Sequence, residues 1–294
     1  DPSYVPEQNG DVKTTERITF IQDFYSEQYG DYKVDFICCR HVLEHIQLPR
    51  DFLNSLRHSI GKRQKTMVFL EVPNVLFTLR DLGIGDLIYE HCSYFSGISL
   101  SCLFTSCGFE ICELNETYEG QFLYIEALPD ENLGNSMCDC GDDLGELVSD
   151  VATFADKYQR KIEVWRCNLE RMAQAGRRAV VWGGGSKGVA FLNTLKNQNQ
   201  IEYVVDINPR KQGRYIAGTG QQIVAPYFLR DYQPDVVLVM NPIYKSEIQQ
   251  LTKKLGLNTD FVCVQVCNAR PGAAKRRECD DHFSNLENLK LFLK

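Results

Sequence analysis

No stretch of this 294-residue sequence approaches the roughly 20 consecutive apolar residues that a membrane-spanning helix needs. A surplus of positive charge is also lacking, because the formal net charge is -7. A chain with that balance does not attract the phosphate backbone broadly, which argues against nucleic-acid binding. We therefore expect a protein that has neither a membrane nor a nucleic acid as its partner.

The cysteines lack the paired spacing of a disulfide or zinc framework, although the chain contains 12 of them. Most lie singly in apolar segments, where cysteine behaves as a small hydrophobic residue. Cys138 and Cys140 form a close polar pair, but the second pair that a zinc site needs is missing. This usage predicts a reducing compartment, the cytoplasm.

Strand-like and helix-like segments alternate through both halves of the chain, which predicts mostly parallel sheets with helices on their faces. We predict a first α/β domain at residues 1–128, a linker and long connecting helix at 129–176, a second α/β domain at 177–268 and a tail at 269–294. The acidic, Gly- and Asn-rich segment from Pro129 to Gly145 is typical of a domain boundary.

Val34 to Cys39 is predicted to be a strand, and its apolar run from Phe36 to Cys39 is typical of one that is buried on both faces. Arg40 and His41 follow it, so they are expected at the carboxyl edge of a parallel sheet, where ligands bind. The spacing from His41 to His45 predicts a helix.

The same segment also permits an interpretation as a zinc peptidase, because His41 to His45 fits H-x-x-E-H, with the two histidines as zinc ligands and Glu44 as the base. That chemistry needs a third ligand on a nearby element, and no downstream helix offers an obvious one. We therefore predict no metal.

A glycine-rich turn opens the second α/β domain. Gly183 to Gly188 fits G-x-G-x-x-G between a buried strand and a helix, and Asp206 ends the next strand 18 positions after Gly188. This arrangement is typical of dinucleotide binding, which makes an NAD(P)-dependent oxidoreductase or a nucleotide-binding regulatory module the alternative function.

Residues 35–53, D-x-I-x-x-R-H-V-L-E-H-I-x-x-P-x-x-F-L, resemble the fourth strand and following helix of class I S-adenosylmethionine-dependent methyltransferases, closest to the sugar C-methyltransferases. The resemblance implies that S-adenosyl-L-methionine is the cofactor. It also implies which residues would bind the cofactor: Asp1 the ribose, Asp23 and Phe24 the adenine, and Arg40 and His41 the methionine moiety.

Glu90-His91 and Tyr94-Phe95-Ser96 resemble the Y-H-E-H and Y-F-S segments of those enzymes. The resemblance implies that His91 is the catalytic base, that Glu90 orients it and that Tyr94 contacts the acceptor. Ile88-Tyr89 replaces the first two letters of the motif. The implied reaction is methyl transfer to carbon next to a ketone, in a nucleotide-linked sugar.

The second domain resembles the C-terminal domain of the same enzymes through W-G-x-G-x-K-G-x-x-F-L-N and D-I-N-P-x-K-Q-G-x-Y-I-x-G-T-G-x-x-I. This implies a Rossmann-like fold, with substrate binding at Gly183, Gly185, Lys187, Gly188, Asp206 and Lys211.

The sequence begins after the position of the family's first strand and its glycine-rich loop. We therefore expect an incomplete class I methyltransferase sheet followed by a smaller doubly wound domain, both Rossmann-like and of the α/β class. By itself the chain is expected to bind the cofactor weakly or not at all, and for that reason to be inactive.

Overall fold

The fold is taken from a computed structural model of the chain. It describes residue 19 and residues 21–131, 143–195 and 200–264. Asp1 and the predicted tail at 269–294 lie outside these residues. Among the described residues, no helix combines the length and apolar character that crossing a membrane requires.

The first sheet has four strands in the order β1-β2-β4-β3, which are Phe36–Arg40 (β1), Met67–Pro73 (β2), Phe109–Thr117 (β3) and Phe122–Pro129 (β4). β1 and β2 are parallel, with Arg40 paired with Glu71 at their carboxyl ends. β3 and β4 are joined by only four residues, a connection that parallel strands do not allow. The helices of this part are Pro49–Ile60 (α1), Val75–Asp81 (α2) and Gly97–Ser106 (α3).

The second sheet has five parallel strands in the order β7-β6-β5-β8-β9. They are Ala179–Trp182 (β5), Ile201–Val205 (β6), Gln222–Val224 (β7), Val236–Val239 (β8) and Asp260–Cys263 (β9). The accompanying helices are Asp143–Gln174 (α4), Ser186–Leu195 (α5), Leu229–Tyr232 (α6) and Lys245–Lys254 (α7). β5 and β8 are fully buried along their length, so this sheet is covered on both faces. The order is that of a doubly wound fold, which confirms the predicted fold class.

The described residues form two compact units, and the boundary between them does not follow the order of the chain. The first unit contains residues 21–72, 95–115 and 123–131. The second contains residues 143–195 and 200–264, together with the loop at 73–94 and the hairpin tip at 116–122. The loop that carries Glu90 and His91 therefore packs as part of the second unit.

The prediction that His41 to His45 form a helical turn with α-helical spacing is wrong. His41 has a left-handed backbone, with φ 53°, and only Leu43–His45 form a short 3-10 turn. The true α-helix begins at Pro49, because proline fits the first helical position and supplies a start signal. The two histidines consequently do not lie one α-helical turn apart, which is the geometry the zinc-peptidase pattern requires.

The glycine-rich turn depends on a close approach between β5 and α5. A Cβ on Gly188 would lie 2.0 Å from the backbone oxygen of Gly183, an atom that cannot move aside. Gly183 itself has φ 118°, a conformation that favours glycine. By contrast, a Cβ on Gly185 would meet nothing nearer than Lys211 Nζ at 3.8 Å.

We predict that Gly188→Ala lowers the free energy of unfolding by about 1–3 kcal/mol or more, the usual cost of forcing atoms into a packed interior. Gly185→Ala is the matched control in the same turn and should stay within about 0.5 kcal/mol of the wild type. Denaturant unfolding of the three proteins measures both effects. Equal stability of the two variants would contradict the close approach.

Candidate functional site

Four side chains form a polar cluster at the carboxyl ends of β1 and β2, which we call the His41 cluster: Arg40, His41, Glu44 and Glu71. The ring of His41 lies between two buried carboxylates, with Nε2 3.1 Å from Glu71 Oε1 and Nδ1 3.5 Å from Glu44 Oε1. Arg40 donates from Nε and Nη2 to Glu71 Oε1, at 2.9 and 2.7 Å. Two basic side chains thereby lie beside two acids that would be costly to bury alone.

The left-handed backbone of His41 turns its side chain toward the acids immediately after the strand ends. Such a conformation is uncommon for a residue with a Cβ, and it persists where the surroundings hold it. The hydrogen bond with Glu44 raises the pKa of His41, and the charge of Glu71 adds to the effect, against opposition from burial and from Arg40. Glu44 Oε2 is buried and has no hydrogen-bond partner among the residues that the structure describes.

Asp23 and Phe24, the predicted adenine contacts, lie in the first unit. The carboxylate of Asp23 accepts hydrogen bonds from the Phe24 backbone, Gln28 Nε2 and Tyr29 Oη, at 2.7, 2.8 and 2.6 Å. The bond from Tyr29, followed by that from the Phe24 backbone, lowers the pKa of Asp23. The ring of Phe24 is 73% exposed, so an apolar surface is available beside this acid.

His91 lies in the loop of the second unit that connects α2 to α3. Its Nδ1 is 2.7 Å from the backbone oxygen of Asp86, and a carbonyl can only accept a hydrogen bond. The proton of the neutral ring therefore lies on Nδ1, and its basic lone pair is on Nε2. The ring of Tyr94 meets His91 edge-on at 6.3 Å, and burial, followed by the charge of Asp86, raises the pKa of Tyr94.

Asp86 was not foreseen from the sequence, because it acts through its backbone, which carries no sequence signal. Glu90, to which the orienting role was assigned, is exposed and adjoins His91 in the chain. Glu71 could have been recognised as a lone acid inside the apolar strand M-V-F-L-E-V-P, where a buried carboxylate requires a partner.

The glycine-rich turn borders a cavity of about 510 Å³ at the carboxyl ends of β5, β6 and β8. Its lining is mostly apolar, with Trp182, Ile207, Met240, Tyr244, Ile248 and Leu251, and its polar edge includes Lys187, Asp206 and Asn241. β5 lies between β6 and β8, the point at which the strand order reverses and where doubly wound folds bind their ligands.

Asp206 closes the turn rather than standing open beside it. Its Oδ2 accepts from Gly184 N–H at 2.9 Å and from Lys211 Nζ at 3.2 Å, while Oδ1 accepts from Asn208 N–H at 2.9 Å. The structure thus brings Asp206 and Lys211 together with the glycines, and their ion pair stabilises the turn. Lys187 extends the other way, donating from Nζ to Gln121 Oε1 at 2.6 Å.

Comparisons with known proteins match both halves of the chain. A family described as methyltransferase domain matches residues 1–114, and one described as C-methyltransferase C-terminal domain matches residues 146–264. The C-methyltransferase NovU of Streptomyces niveus is 25% identical over 221 residues, which cover 71% of this chain and 51% of that protein. The chain thus spans about half the length of the curated relative that it matches.

The raised pKa of His41 generates a prediction about stability. A histidine whose folded-state pKa is raised contributes stability that is complete below the unfolded pKa, near ~6.5, and is lost as pH rises through the folded value. The melting temperature of the wild type should therefore fall toward that of His41→Gln as pH rises from about 6 to about 9.

Thermal unfolding across this range measures the effect, with His58→Gln, an exposed histidine of α1, as the matched control. The control should follow the wild type at every pH. If the difference in melting temperature between the wild type and His41→Gln stays constant with pH, His41 does not form a charged interaction in the His41 cluster.

Proposed function

Because the chain belongs to the class I C-methyltransferases, we propose that this protein methylates carbon next to a ketone in a nucleotide-linked sugar, with His91 as the base. The observation that carries the proposal is the hydrogen bond between His91 Nδ1 and the Asp86 carbonyl, which leaves the basic lone pair of the neutral ring on Nε2. A carbon acceptor becomes nucleophilic only after a proton is removed, so such a base is what the reaction requires.

In the proposed mechanism, His91 Nε2 takes a proton from the carbon beside the ketone, and the electrons of that C–H bond form an enolate. The Asp86 carbonyl keeps the ring in place and stabilises the imidazolium that results. Tyr94, edge-on to His91, is proposed to bound the acceptor site, and Glu90 to add negative potential near the protonated ring. S-adenosyl-L-methionine, when bound, supplies an electrophilic methyl group to the carbon.

The first unit is the proposed cofactor side. Asp23 and Phe24 combine an acceptor with an exposed aromatic face, which suits an adenine. In the His41 cluster, the buried Glu44 Oε2 lacks a donor among the described residues, so an ammonium such as that of the cofactor's methionine moiety would satisfy it. These residues fit the cofactor chemically.

The cavity of the second unit is the proposed nucleotide site. Apolar and aromatic side chains suit a base, and the backbone N–H groups that open α5 suit a diphosphate. The oxidoreductase alternative is not favoured. The acid that would receive a nicotinamide-cofactor ribose is buried, unlike Asp23, and it is held by an ion pair with Lys211 and by two backbone N–H groups of its own unit.

In a chain that also carries the family's first strand and glycine-rich loop, we predict that His91→Asn lowers methyl transfer to a nucleoside-diphosphate-linked keto-sugar by ~100-fold or more, the usual scale for losing a general base. Exchange of the acceptor proton in deuterated water, measured without cofactor, should fall in parallel, while cofactor affinity is retained. His58→Asn, the same replacement at an exposed position on α1, is the control and should preserve both rates. Retention of exchange and transfer by His91→Asn would show that His91 is not the base.

Occupancy of the cavity can be followed by fluorescence, because Trp182 lines it and the other tryptophan, Trp165, lies on α4. In a Trp165→Phe background we expect UDP to quench Trp182 saturably and NADH to give no saturable change. Gly185→Val should abolish the UDP response, because a branched side chain would occupy the space beside Lys211. Saturable NADH binding that Gly185→Val removes would instead support the oxidoreductase alternative.

A further inference from the structure

Gly85 packs directly against the aliphatic stem of Lys187, within the second unit. A Cβ on Gly85 would lie 2.3 Å from Lys187 Cγ, 3.0 Å from Cδ and 3.1 Å from Cβ. Gly85 is buried and lies in the short 3-10 turn Ile84–Asp86, without a left-handed backbone. Glycine is therefore required here by lack of space for a side chain, and the atoms that fill the space belong to the glycine-rich turn's lysine.

The lysine stem is fixed because its far end is anchored. Lys187 Nζ donates to Oε1 of Gln121, a side chain that is fully buried, and Gln121 Nε2 lies 3.4 Å from Asn241 Oδ1. Asn241 in turn caps the turn after β8 by accepting from Ile243 N–H at 3.3 Å. The stem is thus held between the start of α5 and the buried amide of Gln121, which in turn contacts Asn241 at the carboxyl end of the second sheet.

On the Gly85 side of the Gly85–Lys187 contact, the next residue in the chain is hydrogen-bonded to His91. Asp86 is the residue after Gly85, and its carbonyl holds His91 Nδ1 at 2.7 Å. The turn is closed by the bond from Leu87 N–H to Ile84 O at 3.1 Å, and Thr78 Oγ1 donates to Gly83 O just before it. Since the turn is braced at both ends, a displacement of Gly85 moves the Asp86 carbonyl, and with it the imidazole ring.

We propose that Lys187 is a positioning residue, whose stem supports the Gly85-Asp86 turn and thereby sets the position of the His91 ring. The catalytic consequence rests on the proposed function, in which His91 is the base. The contact itself is independent of that role. It assigns to the glycine-rich turn of the second unit a task besides ligand binding, namely to hold the loop that carries the base.

The test compares four variants by the NMR signal of His91, which is assigned by its loss in His91→Asn. Gly85→Ala should shift the signal, because the added methyl collides with the stem. Gly85→Ala combined with Lys187→Ala should return it toward the wild-type position, because the nearest remaining atom would be Cβ at 3.1 Å. Lys187→Ala alone should shift it by removing the support, whereas Lys187→Met, which keeps a stem, should not.

Gly145→Ala is the matched control, since a Cβ there meets nothing within 4 Å, and it should leave the His91 signal in place. Any one of three results would overturn the proposal: no shift in Gly85→Ala, no recovery in the double variant, or a shift in Lys187→Met equal to that in Lys187→Ala. If Gly85→Ala does not fold, the comparison of Lys187→Ala with Lys187→Met still decides it.

In the methyl-transfer assay, Gly85→Ala should reduce kcat by about 10-fold or more with little change in KM, because a misplaced base affects the chemical step more than binding. Recovery of kcat in the double variant is not required, since Lys187 also lines the cavity. If the NMR pattern holds while His91→Asn keeps its activity, the contact stands and the proposed function fails.

Discussion

The packing of the second unit depends on two contacts at glycine residues, each of which leaves no room for a Cβ atom. At one, the first turn of α5 approaches the end of β5, with Gly188 over the Gly183 carbonyl. At the other, Gly85 lies against the Lys187 stem. Both contacts involve the same six-residue turn, so the turn that borders the cavity also sets where the 73–94 loop rests. Packed interiors respond to such displacements by shifting as a whole, because they have little free volume.

The first unit is constrained differently, by buried charge. Glu44 and Glu71 are almost completely buried, and burying a carboxylate is costly unless partners such as Arg40 and His41 lie beside it. Arg40 and His41 are each about half exposed, so they connect the buried acids with the surface at the carboxyl edge of the sheet. A polar cluster of this kind fixes the backbone that follows β1, including its left-handed residue, in one conformation.

The second sheet could be predicted from the sequence, because its buried parallel strands are continuous apolar runs. β1 was predicted to be buried on both faces, but it lies at the edge of the described sheet and alternates between exposed and half-buried residues. Asp206 was predicted to end the strand that follows the glycine-rich turn, and β6 ends at Val205, immediately before it. β7 and α7 were missed, since a three-residue edge strand and a largely polar helix give little periodic signal. The prediction of a helix from His41 to His45 was wrong because it rested on spacing alone. Polar residues three and four positions apart occur both in α-helices and in turns whose side chains contact buried acids.

The candidate site was harder to predict, because its decisive contacts use groups that a sequence motif does not specify. The motif suggested that Glu90 orients His91, yet the nearest acceptor on Nδ1 is a backbone carbonyl. Likewise, the spacing from Gly188 to Asp206 suggested a ribose acceptor, whereas the folded chain uses that acid to latch its own turn with Lys211. Spacing predicts which residues lie at the same edge of a sheet, but not which of them already form hydrogen bonds or ion pairs with one another.

The assignment of the 73–94 loop to the second unit has a mechanistic consequence. Arg80 pairs with Glu146 and Asp150 of α4, and Lys161 donates to the Leu82 carbonyl, so the loop is held by the long helix as well as by Lys187. Exposed ion pairs of this kind contribute little individually, and the buried glycine contact supplies the tighter constraint. His91, carried on this loop, keeps its position relative to the cavity of the second unit. If, as proposed, His91 is the base and the acceptor's nucleotide occupies that cavity, the same framework holds both, which is the preorganisation that removing a proton from carbon would demand.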